Sequence, residues 1–208
     1  MSNICQQLHD WCAKQKKHGF PFNEKELPLN GVYLLFEKGE KRHGTDRIVR
    51  VGTHTGHHQL RSRLQQHFLM ENKDRSIFRK NIGRALLKKE NNSFLKTWEL
   101  DLTTKEAKGK YAIDAEQQRT IEKKVTCYIQ NNFTFIVIPV EEKEKRLALE
   151  SKCISTVSLC EDCHSSSTWL GLHSPKQKIR ESGMWQVNEL YKKPLSEKEL
   201  MSIFKNTP

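Results

Sequence analysis

Apolar positions along this chain follow two periods. Val32 to Glu37 and Ile48 to Gly52 are short runs of β-branched and aromatic residues, each bounded by Gly, Asn or charged turn residues, and they predict a β-hairpin. Phe133 to Val140 (FTFIVIPV) is an unbroken β-branched run and predicts a central strand buried on both faces. Helical spacing appears in Ile4 to Lys16, with Leu8, Trp11 and Cys12 in register, after which Pro21 and Pro28 interrupt regular structure. It returns in Leu60 to Leu69, in Ser76 to Lys88 through Ile77, Ile82, Ala85 and Leu86, and in Ala115 to Asn131 through Ile121, Val125 and Tyr128. A further helix is expected over Lys143 to Leu159, with Leu147, Ile154 and Val157 as its stripe. After Pro194, Ser196 as N-cap with Glu199 in capping-box position predicts a short closing helix. Residues Glu90 to Tyr111 are polar and mixed and read as an insertion. The pattern implies an α+β fold over 1–208 as one domain: an antiparallel hairpin plus a central strand in a three-stranded sheet, flanked by helices. Its core runs from about 29 to 160, with an N-terminal helix over 4–16 and a C-terminal loop and helix over 165–205.

Candidate chemistry clusters on the hairpin and the helix after it. Arg63 and His67 are four residues apart and share a helical face. With Tyr33 and Arg50 from the strands and His54 from the following loop, they bring a phenol, two guanidiniums and two imidazoles together. Such a group makes a poor hydrophobic core and a good site for a phosphate diester.

These residues resemble the GIY-YIG nucleases. Gly31-Val32-Tyr33 matches the first family motif, and the second falls on Arg50-Val51-Gly52, where the motif tyrosine is replaced by arginine. Leu60, Arg63, Leu64 and His67 match the downstream pattern of Leu, then Arg, then His. The resemblance covers Gly31 to Glu150 and resumes around Ser182 to Asn188. It implies hydrolysis of a phosphodiester, with Tyr33 orienting or deprotonating the attacking water and Arg63 stabilising the phosphate. His54 and His67 would be proton carriers or phosphate contacts. It further implies that Glu150, mid-helix in RLALESKCI, binds Mg²⁺ or Mn²⁺, since one carboxylate suffices when the substrate phosphate supplies another ligand. Asn188 would steady the site by hydrogen bonding, with Gln186 as its competitor. Arg50 cannot serve as a base; beside Tyr33 it would favour the phenolate by charge attraction.

Charge and cysteine content refine this picture. The chain carries 36 Lys and Arg against 25 Asp and Glu, a formal charge of +11, which suits a polyanionic partner. His57, His58, Arg61, Arg75, Arg79, Lys80 and Arg84 lie in and just after the candidate site and are expected to contact nucleic acid, DNA first and RNA as the alternative. No apolar run approaches a membrane span and the N-terminus has no apolar signal core, so a cytoplasmic protein with reduced cysteines is expected. Cys160 and Cys163 have the spacing of a Zn²⁺ half-site, with Cys153 and His164 as neighbours, but a single CxxC without a second pair points more to reduced thiols. No helix-turn-helix or tandem zinc finger is visible. Three classes therefore stay open: a DNA endonuclease, a nucleic-acid binder that has lost catalysis, and an RNA-cleaving nuclease.

Overall fold

A computed structural model describes residues 4–111 and 113–206. In chain order the elements are α1 (Ile4–Ala13), β1 (His18–Gly19), β2 (Gly31–Arg42), β3 (Thr45–Gly52), α2 (Leu60–Phe68), α3 (Ile77–Lys89), α4 (Leu95–Trp98), α5 (Lys105–Lys110), α6 (Ala115–Asn132), β4 (Phe133–Pro139), α7 (Lys143–Ser158), α8 (Gln177–Ser182) and α9 (Glu197–Asn206). The architecture is α+β, with one antiparallel sheet in the order β1-β4-β2-β3.

The sheet has four strands where three are expected from the sequence. The additional one is the two-residue His18–Gly19, paired with Phe135 and Thr134 of β4, too short to leave an apolar signature. The hairpin is longer than its apolar runs: β2 and β3 extend to Arg42 and Thr45 and turn through His43 and Gly44, both at positive φ. Between them sits a bulge, since Leu35 pairs with Arg50 while Phe36 pairs with Ile48. Val49 is the extra residue.

Alternation along β2 divides the core. Val32, Leu34 and Phe36 face one side and pack with α1, α7 and α9; Tyr33 and Leu35 face the other and pack with α2, α3 and α6. Strand β4 is buried on both faces by the same rule, Phe133 and Phe135 on one side, Ile136 and Ile138 on the other. Helix α1 stops at Ala13, short of Lys16. Ser196 and Glu199 exchange hydrogen bonds as a capping box at the start of α9.

The polar segment after α3 is more than an insertion. Trp98 in α4 is wholly buried, donates Nε1–H to the Lys80 carbonyl at 3.0 Å, and lies over Gly83 so closely that a Cβ there would come within 2.3 Å of the indole. Glycine in mid-helix is the condition for this packing.

Arg79 and Arg84 depart from the basic face expected of them. Arg79 is fully buried and donates to Glu122 Oε2 at 2.8 Å, Thr126 Oγ1 at 2.8 Å and the His67 carbonyl at 3.1 Å, tying α2, α3 and α6 together. Arg84 pairs with Glu99 at 2.7 Å and donates to Asn81 Oδ1 at 2.6 Å. Buried guanidiniums persist only when paired. Glu122→Ala is therefore expected to destabilise the fold by about 3–5 kcal/mol, because Arg79 would be left as an uncompensated buried charge; denaturant unfolding of the two proteins checks this. Among the described residues no helix is long and apolar enough to cross a membrane.

Candidate active site

Tyr33 on β2 stands directly opposite Gly52 on β3. A Cβ at Gly52 would lie 2.3 Å from the Tyr33 hydroxyl, so the glycine is what lets the phenol cross to the neighbouring strand. The hydroxyl meets His67 Nε2 at 2.7 Å, and His67 Nδ1 meets Ser76 Oγ at 2.7 Å. Ser76 is the N-cap of α3, where its oxygen also accepts the Arg79 amide. Tyr33 and His67 have no solvent exposure. Burial, followed by the positive charges of Arg63, Arg50 and Arg79, holds the His67 imidazole well below its usual value, so it is neutral. A neutral ring in this chain accepts from the phenol through Nε2 and donates from Nδ1 to Ser76.

Arg50 shares the Tyr33 face because it pairs with Leu35, two residues along β2. Its guanidinium interacts with the Tyr33 hydroxyl, lies over the Phe78 ring at 5.3 Å, and donates to the Trp185 carbonyl at 2.6 Å. Burial pulls its pKa below the ordinary value, while Tyr33 and Glu150 draw it back toward the charged form. Trp185 and Gln186 close the open edge of β3: the Trp185 amide donates to the Val49 carbonyl at 2.8 Å, and Gln186 Oε1 accepts the Val51 amide at 3.0 Å.

Two cavities of about 410 and 330 Å³ meet at α7, where Leu147 and Glu150 line both. The first also takes in Arg50, Asn81, Gln186 and Asn188; the second takes in Thr53, His54, Arg63 and Gln66. Glu150 Oε1 accepts the Thr53 amide at 3.2 Å. Burial raises the Glu150 pKa, opposed by Arg50 and the Thr53 amide and reinforced by Glu189. Arg50 Nε and Asn81 Nδ2 are buried N–H donors with no partner within the protein. Orphan donors on one cleft beside a half-buried carboxylate fit a phosphate held with a hard cation. A larger groove of about 480 Å³ between β4, α7 and α9 holds none of these groups.

The remaining expected residues spread around this centre. His54 is buried, bonded through Nδ1 to the Gly56 carbonyl at 2.7 Å and through Nε2 to the Gly31 amide at 3.3 Å. Burial lowers its pKa. Both ring nitrogens thus brace the loop after β3. Arg63 donates to Gln66 Oε1 at 2.9 Å and to the Arg75 carbonyl at 3.1 Å on the cleft wall. Asn188 is exposed at the rim, while Gln186 makes the hydrogen bond to the sheet. His57, His58 and Arg75 are exposed; Arg61 donates to the Leu27 carbonyl and Lys80 to Asp74 and the Leu100 carbonyl. Cys153 sits in the core, His164 is exposed, and neither these nor Cys160 and Cys163 line the cleft.

Sequence reasoning missed Ser76, Asn81 and Thr53. Ser76 carried a signal as the residue opening a predicted helix. Asn81 carried none, being one polar residue in an amphipathic helix.

A family model described as a GIY-YIG domain matches residues 3–206. The chain belongs to the GIY-YIG family. Membership carries a nuclease-type function and a nucleic-acid substrate, and the α+β core with its helical additions is compatible with it. In this GIY-YIG chain the first-motif tyrosine is the one hydrogen-bonded to His67, and the second-motif position holds Arg50. No curated protein and no solved structure matches the chain.

Proposed function

We propose that this protein is a divalent-metal-dependent endonuclease that hydrolyses DNA phosphodiester bonds. The observation that carries the reading is the hydrogen-bonded chain Tyr33–His67–Ser76 set under Arg50, beside a cleft lined by Arg63 and Glu150. His67, kept neutral by burial, holds the Tyr33 hydroxyl through its hydrogen bond at Nε2 and so fixes the phenol beside the Arg50 guanidinium. Tyr33, wholly buried and lining neither cavity, acts on the attacking water through Arg50, which lines the cleft. Arg63 and the orphan donors of Arg50 and Asn81 stabilise charge developing on the scissile phosphate. Glu150 would hold Mg²⁺ or Mn²⁺, which when bound supplies positive charge against the phosphate and the leaving oxygen. Asn188 on the rim contacts the substrate rather than the reacting atoms.

DNA is the substrate proposed, with RNA as the alternative: among the described residues Arg61, Arg63 and Arg75 stand outside ion pairs, and Arg63 lines the cleft, whereas Lys80, Arg79 and Arg84 are held by Asp74, Glu122 and Glu99. At about 0.9 per neutralised phosphate, DNA affinity is expected to fall with salt at a log–log slope of roughly −3. Binding titrations on duplex DNA from low to moderate salt check this, and a slope near zero would contradict it. Parallel digestion of plasmid and structured RNA with Mg²⁺ tests the substrate. Preferential cleavage of RNA would overturn the assignment to DNA.

A further inference from the structure

Three segments remote in sequence deliver four sulfur and imidazole ligands to one point outside the cleft. Cys5 and His9 lie one turn apart on α1, His43 sits at the β2–β3 turn, and Cys163 follows α7. Their donor atoms all lie within 4.8 Å of one another. Cys5 Sγ is 3.6 Å from His9 Nδ1, Cys163 Sγ is 3.8 Å from His9 Nε2, and the His9 and His43 rings are 5.0 Å apart. Cys160 Sγ adjoins the group, 3.7 Å from His43 Nε2. Tetrahedral zinc with Zn–S of about 2.3 Å and Zn–N of about 2.0–2.1 Å sets its ligands roughly 3.5 Å apart, close to these separations.

We propose that Cys5, His9, His43 and Cys163 form a structural Zn²⁺ site that fastens α1 and the hairpin tip to the segment after α7. Two thiolates and two imidazoles suit a borderline-soft cation, and the set is closed, with no open position for substrate. His9 is already oriented: Nδ1 faces the Cys5 carbonyl at 2.8 Å, the outer-shell bond that leaves Nε2 for a metal. The Ile48 amide donates to that same Nε2 at 3.1 Å, a hydrogen bond that the metal would replace.

His43 adopts φ 55°, a left-handed conformation at the turn position where asparagine is usual, with Gly44 following. Cys5, His9 and Cys163 are buried in or against the apolar layer of α1, α7 and α9. A metal there would join the turn to that layer. Sequence spacing could not find the site, because the Cys160/Cys163 pair has its partners more than 100 residues upstream.

The test is metal content of the full chain purified with reductant and without a chelator or a histidine tag. Close to one zinc per chain is expected by mass spectrometry, and replacement by Co²⁺ should give the visible absorption of a tetrahedral ion together with thiolate-to-cobalt charge transfer. The double variant Cys5→Ser/Cys163→Ser should lose the metal, whereas Cys127→Ser, an exposed cysteine outside the cluster, should keep it. Since the double variant can fail to fold, the cobalt spectrum of the unaltered chain decides by itself. Absence of stoichiometric zinc, an octahedral cobalt spectrum, or His43→Ala with undiminished zinc affinity would each overturn the site as assigned.

Discussion

Glu150→Gln is expected to lower divalent-dependent DNA cleavage by about 10³-fold or more, with DNA affinity and fold preserved. The amide oxygen still accepts the Thr53 N–H, so the local hydrogen bond survives the loss of charge. Stability should not fall. Burial raises the Glu150 pKa above the ordinary 4.5, so the folded chain disfavours the carboxylate and bears that cost at every pH above the raised value. A neutral glutamine removes it, and the melting temperature at neutral pH is expected to match or exceed that of the parent. The same shift sets the acid limb of cleavage. The carboxylate must be ionised to hold a cation, so activity declines as pH falls through the raised Glu150 pKa. A pH–rate profile of the parent and melting curves of both proteins check these outcomes. Full activity in the glutamine variant would remove Glu150 from the site.

Arg50→Leu is the second large effect: a loss of about 10²–10³ in cleavage rate, the scale on which one preorganised charged donor acts. Arg50→Lys should retain part of the activity, because an ammonium keeps the charge near Tyr33 but cannot reproduce the planar fork that also engages the Trp185 carbonyl. Its alkaline limb should move to lower pH, since a lysine ammonium loses its proton and charge well before a guanidinium does. Arg50→Tyr restores the family's second tyrosine and is expected to be less active than the parent, because the orphan Nε donor and the charge beside Tyr33 both disappear. A tyrosine variant that gained large activity over an inert parent would show that the natural protein binds nucleic acid without cutting it.

The sequence carried the elements of this site further than its wiring. Tyr33, Arg63 and His67 are named by GVY and by the Leu-Arg-His spacing, and the helical step places the last two on one face. What no local pattern carries is the partner of each group. Arg79 and Arg84 read as surface cations because helical periodicity scores arginine as polar; their burial depends on Glu122, 43 residues downstream of Arg79, and on Glu99. The bulge at Val49 and the two-residue strand β1 follow from pairing rather than propensity. Tyr33, Arg50, His54, Arg63 and His67 were expected to share one surface, whereas Tyr33 and His67 are wholly buried and line neither cavity. The closing of the β3 edge by Trp185 and Gln186 was signalled only by the resemblance resuming around Ser182 to Asn188. The hydrogen bonds that define its role come from backbone geometry.

The central claim, that the Tyr33–His67 pair beside Glu150 makes this GIY-YIG chain a metal-dependent endonuclease, is tested most directly by plasmid nicking with the purified protein and its Tyr33→Phe variant. Phenylalanine keeps the ring that packs over Gly52 and deletes only the hydroxyl that meets His67. The account predicts conversion of supercoiled to open-circular DNA by the parent in Mg²⁺ or Mn²⁺, none with EDTA, and near-complete loss in a folded Tyr33→Phe protein. A parent that binds DNA but cuts nothing with any divalent ion, or a Tyr33→Phe protein that cuts as well as the parent, would contradict it.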